Sequence, residues 1–186
     1  MDKKESIGIL GVQSGVGVTH LSVAMMEYSL RYRRSATAIV ELSGNHEVEL
    51  LQDHRKRSLH HTGRAQFFPN QSCESPAEWV QASYDTYIVD AGSDYYRSRQ
   101  EFMRCDKKII LMSLSPWKKR EVDDFMSYIY ETGKWNKSVT LLAHLGKKED
   151  KKEFQRRYKI PIFCCPYIED PFHLKEADAR FLRTLF

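Results

Sequence analysis

Residues 7–20, Ile7-Gly8-Ile9-Leu10-Gly11-Val12-Gln13-Ser14-Gly15-Val16-Gly17-Val18-Thr19-His20, constrain this chain more than any other stretch. An apolar run stops at a loop with glycines at 11, 15 and 17, and the chain then takes up helical spacing. A strand that turns through such a loop into a helix aims free backbone N–H groups and the helix's positive end at one point. That point suits a phosphate. The pattern G-x-x-x-x-G-K-[ST], laid over Val12 to Thr19, is met at Gly17 and Thr19. It is missed at Val12, where the first glycine belongs, and at Val18, where the lysine belongs.

A second informative stretch is Tyr84-Asp85-Thr86-Tyr87-Ile88-Val89-Asp90-Ala91-Gly92, an apolar strand whose carboxyl end carries an aspartate before small residues. In phosphate-loop proteins the strand beside the loop ends in an acid that orders the magnesium shell. Asp90 fits that place, and the bland alternative is a residue that caps a strand or the next helix.

The rest of the chain alternates the same two periods. Strands are predicted over Ser6–Gly11, Ala36–Leu42, Ala65–Phe68, Tyr84–Gly92, Lys108–Leu114, Ser138–Leu145 and Ile160–Cys165. Helices are predicted from the loop to about Arg33, over His46–Arg55, from Ser75-Pro76 to about Ser83 and over Asp94–Arg104. Three more are predicted from Ser115-Pro116 to a stop at Gly133, over Lys147–Tyr158, and from Asp170-Pro171 through Leu185. This pattern predicts one α/β domain over residues 1–186, a doubly wound and mostly parallel sheet of about seven strands with helices on both faces. Ligands of such sheets sit outside the carboxyl ends of the strands, where Gly11, Glu41, Asp90, Ser115 and Pro166 fall.

Composition narrows the function classes. Lys and Arg number 29 against 25 acidic residues, and aromatics make up 12%, the profile of a folded protein with a mildly basic surface and no concentrated nucleic-acid signal. Cys73, Cys105, Cys164 and Cys165 lack zinc spacing and read as buried free thiols in a reducing compartment. No apolar run reaches the ~20 residues that cross a bilayer, and Met1-Asp2-Lys3-Lys4-Glu5 leads straight into the first strand without the apolar core of a signal peptide. A cytoplasmic setting is expected.

Gln13-Ser14-Gly15-Val16-Gly17-Val18-Thr19 resembles the K-G-G-V-G-K-T loop of the deviant Walker A ATPases, the MinD and ParA group of P-loop NTPases. In that family the first lysine reaches across a nucleotide-sandwich dimer and the second holds the terminal phosphates. Gln13 and Val18 stand in those places, which makes this chain resemble a degenerate member. Some relatives with altered loops, of the TadZ and CpaE type, position other proteins rather than cycle. The resemblance implies ATP or ADP with Mg as the ligand and Gln13, Ser14, Gly15, Val16, Gly17, Val18, Thr19 and His20 as the nucleotide-binding residues. It implies Thr19 and Asp90 at the metal and no surviving catalytic residue. Where the family's second strand ends D-x-D, this chain reads Glu41-Leu42-Ser43, which keeps one acid and loses the other. Pro166 to Asp170 follows the last strand, where family members carry part of the adenine pocket.

The resulting reading is a pseudo-ATPase that binds or positions a protein partner, with weak or no nucleotide binding. Alternatives are a slow ATP-dependent dimerising switch and an interaction module with no ligand. A homodimer and peripheral membrane contact stay open, the latter through Trp117-Lys118-Lys119-Arg120 or the apolar face of the final helix; the blander roles are an exposed helix start and a helix docked on the sheet. A dinucleotide site would want a third glycine after Gly15 and Gly17, although Glu41 falls near where a ribose-binding acid would sit. His20 can donate to a phosphate oxygen or be an ordinary surface histidine, and His60-His61 reads as solvated.

Overall fold

The computed structural model describes residues 4–51, 64–71, 83–132 and 138–186. Among them, seven strands form one sheet: β1 Glu5–Gly11, β2 Thr37–Glu41, β3 Ala65–Phe68, β4 Thr86–Asp90, β5 Lys107–Ser113, β6 Val139–Leu145 and β7 Phe163–Cys164. The order is β3-β2-β4-β1-β5-β6-β7 and every pairing is parallel. The helices with both ends among the described residues are α1 Val18–Tyr28, α2 Tyr95–Arg104, α3 Lys119–Thr132, α4 Lys148–Tyr158 and α5 Glu176–Arg183.

The strands are buried on both faces, and their side chains divide by the period of two. Ile7, Ile9, Ile39, Ile88, Ile109, Leu111 and Leu142 point to one side, where α1 and α5 cover them. Leu10, Ile110, Met112, Leu141 and Ala143 point to the other, under Phe102 of α2, Val122 and Met126 of α3 and Phe154 of α4. α1 runs on into a π-turn at Ser29–Arg33 and stops at Arg34, whose φ of 55° leaves the helical region.

The apolar face of the final helix is buried against α1: Ala179, Leu182 and Leu185 join that core, Tyr28 stacks on Phe186 at 5.2 Å, and the Arg33 guanidinium lies 4.4 Å over the same ring. That face is therefore occupied by the protein's own α1. No helix among the described residues is long and apolar enough to cross one.

Several boundaries differ from the sequence reading. The last helix starts at Glu176 rather than at Asp170-Pro171, because Asp170 folds a turn by accepting from the Phe172 N–H at 2.8 Å and from His173 at 2.7 Å. The Asp178 carboxylate instead takes the Lys175 N–H at 2.9 Å to begin α5. Ser115 holds the N-cap position with Pro116 opening the turn, as expected, but its hydroxyl meets that of Ser113 at 2.7 Å instead of a helix N–H, and the first turn, Pro116–Lys118, is 3₁₀ before α3 begins at Lys119. β7 pairs over two residues rather than six, since Pro161 and Pro166 have no N–H to give a ladder. Cys105 and Cys165 are buried, and burial pushes both thiols up to about 12, whereas Cys164 is exposed on the edge strand. Residues 47–51 are helical. The rest of that predicted helix, the Ser75 cap and its helix, Gly133, Cys73 and His60-His61 lie outside the described residues.

Candidate functional site: a phosphate-loop cleft without its cations

The cleft forms at the carboxyl edge, where β1 lies between β4 and β5 and their loops meet. After Gly11, the chain turns through Gly15 and Gly17, whose φ values of 73° and 100° suit glycine alone, and enters α1. Gly17 gives α1 no side-chain cap and its first turn has no acid, so the opening N–H groups of the helix are left for whatever occupies the cleft. The Gly11 N–H donates to the Gly92 carbonyl at 2.8 Å, tying this loop to the one after β4. The opening of ≈ 190 Å³ is lined by Gln13, Gly15, Val16, Gly17, Val18, Thr19, His20, Asn45, Glu47, Gly92 and Ser93.

Thr19 and Asp90 are brought together. The Thr19 hydroxyl donates to Asp90 Oδ2 at 2.6 Å, and the Gly92 N–H donates to Oδ1 at 3.1 Å. Burial pushes the Asp90 carboxyl up to about 6; the Glu41 and Glu47 carboxylates add to the rise, and the two donors oppose it.

The two positions that carry lysine in the resembling family are turned inward here. Val18 is 7% exposed and packs with Val16 into the core, their methyl carbons 2.9 and 2.8 Å from where a Cβ on Gly11 would stand. Gln13 is 4% exposed and clasps the end of β5: Oε1 accepts from the Ser113 N–H at 3.0 Å, while Nε2 donates to the Ser113 carbonyl at 3.4 Å. Its side chain is directed at its own sheet. Among the described residues no lysine or arginine lines the cleft.

His20 is committed elsewhere as well. Its Nε2 donates to the Ile168 carbonyl at 2.8 Å, and this contact, rather than one to a phosphate, fixes the ring. With Gly17, Leu21, Leu111, His144 and residues 165–168 it lines a neighbouring cavity of ≈ 160 Å³, so Pro166, Tyr167 and Ile168 do reach the loop. Glu169 and Asp170 lie outside that lining and pair with Lys175 and His173. Burial lowers the pKa of His144, with the charge of nearby His20 adding to the effect.

Glu41 is fully buried at the end of β2. Its Oε1 accepts from the Ser43 hydroxyl at 2.9 Å and the Glu47 N–H at 3.1 Å, and its Oε2 accepts from the Asn70 N–H at 3.3 Å. A carboxylate so engaged holds loops and has no claim on a ribose. Asn45, Glu47 and Ser93 are cleft residues that the sequence did not single out; they sit in polar loops whose only signal was their place after strands that end at the same edge.

No protein-family model matches the chain, and no curated protein matches it in sequence. Solved structures do match in shape. MinD cell division protein of Aquifex aeolicus superposes with a TM-score of 0.65 at 16% identity, over 97% of this chain and 97% of that one. A ParA family ATPase from Chlorobium tepidum gives 0.61 at 15% identity, over 98% and 90%. A putative plasmid partition protein of Borrelia burgdorferi bound to AMPPNP gives 0.59 at 13%, over 98% and 96%. The all-parallel seven-stranded sheet, the glycine loop opening α1 and these superpositions together give the chain the MinD and ParA type of P-loop ATPase fold.

Proposed function

We propose that this domain is a pseudo-ATPase of that fold: it binds or positions a protein partner, does not hydrolyse ATP at a useful rate, and binds nucleotide weakly or not at all. The observation that carries the reading is the inward burial of Val18 and Gln13, which leaves the cleft an amide cradle with carboxylates beside it and, among the described residues, no lysine. A charge-assisted hydrogen bond contributes about 1.5 to 3 kcal/mol, so losing the loop lysine weakens polyphosphate binding by roughly ten- to a hundredfold. A cation that stabilises the transition state of phosphoryl transfer is worth on the order of 10³ to 10⁵ in rate. The Gln13 amide, bonded to Ser113, supplies no such charge to itself or to a second copy.

Should a nucleotide enter, Thr19 and Asp90 are the residues that would hold Mg. They fit: two neighbouring oxygens at the loop leave room for the waters and phosphate oxygens that this ion prefers. Among the described residues no cluster of three or more His, Cys, Asp or Glu side chains is arranged for a metal, so the ion would arrive with the phosphates. The bound metal would neutralise phosphate charge. A cytoplasmic setting belongs to the same reading, supported by the free thiols of Cys105 and Cys165, which are buried.

A second reading, a slow ATP-dependent dimerising switch, is favoured by one observation, the intact Thr19–Asp90 pair. Calorimetric titration with Mg·ATP and a phosphate-release assay separate the two. The pseudo-ATPase reading expects an affinity weaker than micromolar and release at background. Sub-micromolar affinity, or steady release abolished by Asp90→Ala, overturns it in favour of the switch.

A further inference from the structure

We propose that Arg97 is the cation that a polyphosphate meets at this cleft, standing in from the rim for the lysine absent at position 18. The assignment rests on the reading of residues 15–19 as a residual anion seat and adds the side chain that charges it.

Arg97 lies in the first turn of α2, directly beyond the loop that follows β4. The Asp94 carboxylate accepts the Arg97 N–H at 3.1 Å and sets the direction of that turn. The guanidinium extends across to the loop after β2 and rests on Gly44: a Cβ built there would lie 2.7 Å from Nη1 and 3.1 Å from both Cζ and Nη2. Gly44, with a φ of 70° and no side chain, leaves that seat open. The residue after it, Asn45, lines the cleft, and the residue before it, Ser43, packs on Gly92, which lines the cleft from the other loop. The guanidinium is therefore held one residue from the cleft wall.

The chemistry is complementary. Glu47 lines the opening and Asp90 lies beneath it, so the side chains there repel a polyphosphate while the main-chain amides attract it. A planar guanidinium presents paired N–H donors that match phosphate oxygens in a fork. The ligand class is a polyphosphate, either inorganic or the tail of a nucleotide. Arg97 is a binding residue in this assignment, not a catalytic one.

The test is calorimetric titration of the whole chain with magnesium pyrophosphate and with Mg·ADP, comparing the wild type with Arg97→Ala, Arg97→Lys and, as a control on the same helix, Arg99→Ala. Circular dichroism and thermal denaturation check that each variant folds. Arg97→Ala is expected to lose roughly ten- to a hundredfold in affinity for both probes, Arg97→Lys less, and Arg99→Ala nothing. Either ranking of the two probes supports the assignment when both depend on Arg97; tighter Mg·ADP adds a held base, and equal affinities mean that the polyphosphate alone is read. Unchanged affinity in Arg97→Ala overturns it, as does a wild type that binds neither probe, an outcome that leaves the non-hydrolysing reading standing. Brisk ATP cleavage that slows in Arg97→Ala does the reverse, removing that reading while keeping Arg97.

Discussion

The Thr19 hydroxyl reaches Asp90 Oδ2 across 2.6 Å and so bonds the first turn of α1 to the end of β4. Asp90 is fully buried, and its other oxygen has the Gly92 N–H. Removing the hydroxyl strands half of a buried carboxylate. Thr19→Val is expected to cost about 1 to 3 kcal/mol, and to cost more at pH 8 than at pH 5, where the acid is largely protonated. Denaturant titrations at the two pH values measure both quantities.

Asp90 also sets a pH dependence whose sign follows from its raised pKa. In the folded protein burial pushes the carboxyl up to about 6; in the unfolded chain it has the ordinary aspartate value of 3.8. Between those values the folded protein holds more protons than the unfolded chain, so this group favours folding most below 3.8 and loses that contribution as pH rises through 6. The shift corresponds to about 3 kcal/mol. Asp90→Asn, which cannot ionise, is therefore expected to gain about that much stability relative to the wild type between pH 3.5 and pH 8. Parallel stability curves for the two proteins would contradict the raised pKa.

Val18→Lys restores the missing cation at the cost of packing. Val18 is buried against Val16 and Gly11, so a longer side chain there is expected to lower stability by about 1 to 3 kcal/mol. Its ammonium, extended toward the cleft, is expected to tighten Mg·ATP by roughly ten- to a hundredfold. Calorimetry and thermal denaturation of the one variant read the two effects separately.

Leu182 reports on the last helix. It is fully buried in the core shared by α1 and the sheet. Leu182→Ala is expected to destabilise the domain by about 2 to 5 kcal/mol, in urea titrations followed by circular dichroism. A helix that merely rested on the surface would show almost no change.

How far the sequence discloses this protein differs between its parts. Continuous apolar runs such as Lys108–Leu114, punctuated by polar loops, predict parallel strands because burial on both faces demands them, and all seven strands are present. Ends of elements are harder to read, because they depend on which donor wins a particular acceptor. Asp170 takes the Phe172 N–H rather than starting a helix, and Ser115 turns to Ser113. Neither choice is visible without the neighbouring chain. At the cleft, Thr19 and Asp90 could be paired from the loop pattern and the strand end. The fate of Gln13 could not, since its partner Ser113 stands 100 residues away and meets it only because β5 lies beside β1. Arg97 carries no motif at all and comes to the rim only through the crossing of two loops.

Glu41 gives the last consequence. In a molecular switch, freedom of the segment beyond the second strand is what tells the outside which ligand sits within. Here a single acid fastens the start of that segment from below, at Ser43 and Glu47, and ties it to Asn70 beyond β3. To release it, the contacts to Ser43 and Glu47 must break together around a fully buried side chain. The outline of this side of the domain, at Ser43 and Glu47, is thereby set from beneath by one buried side chain.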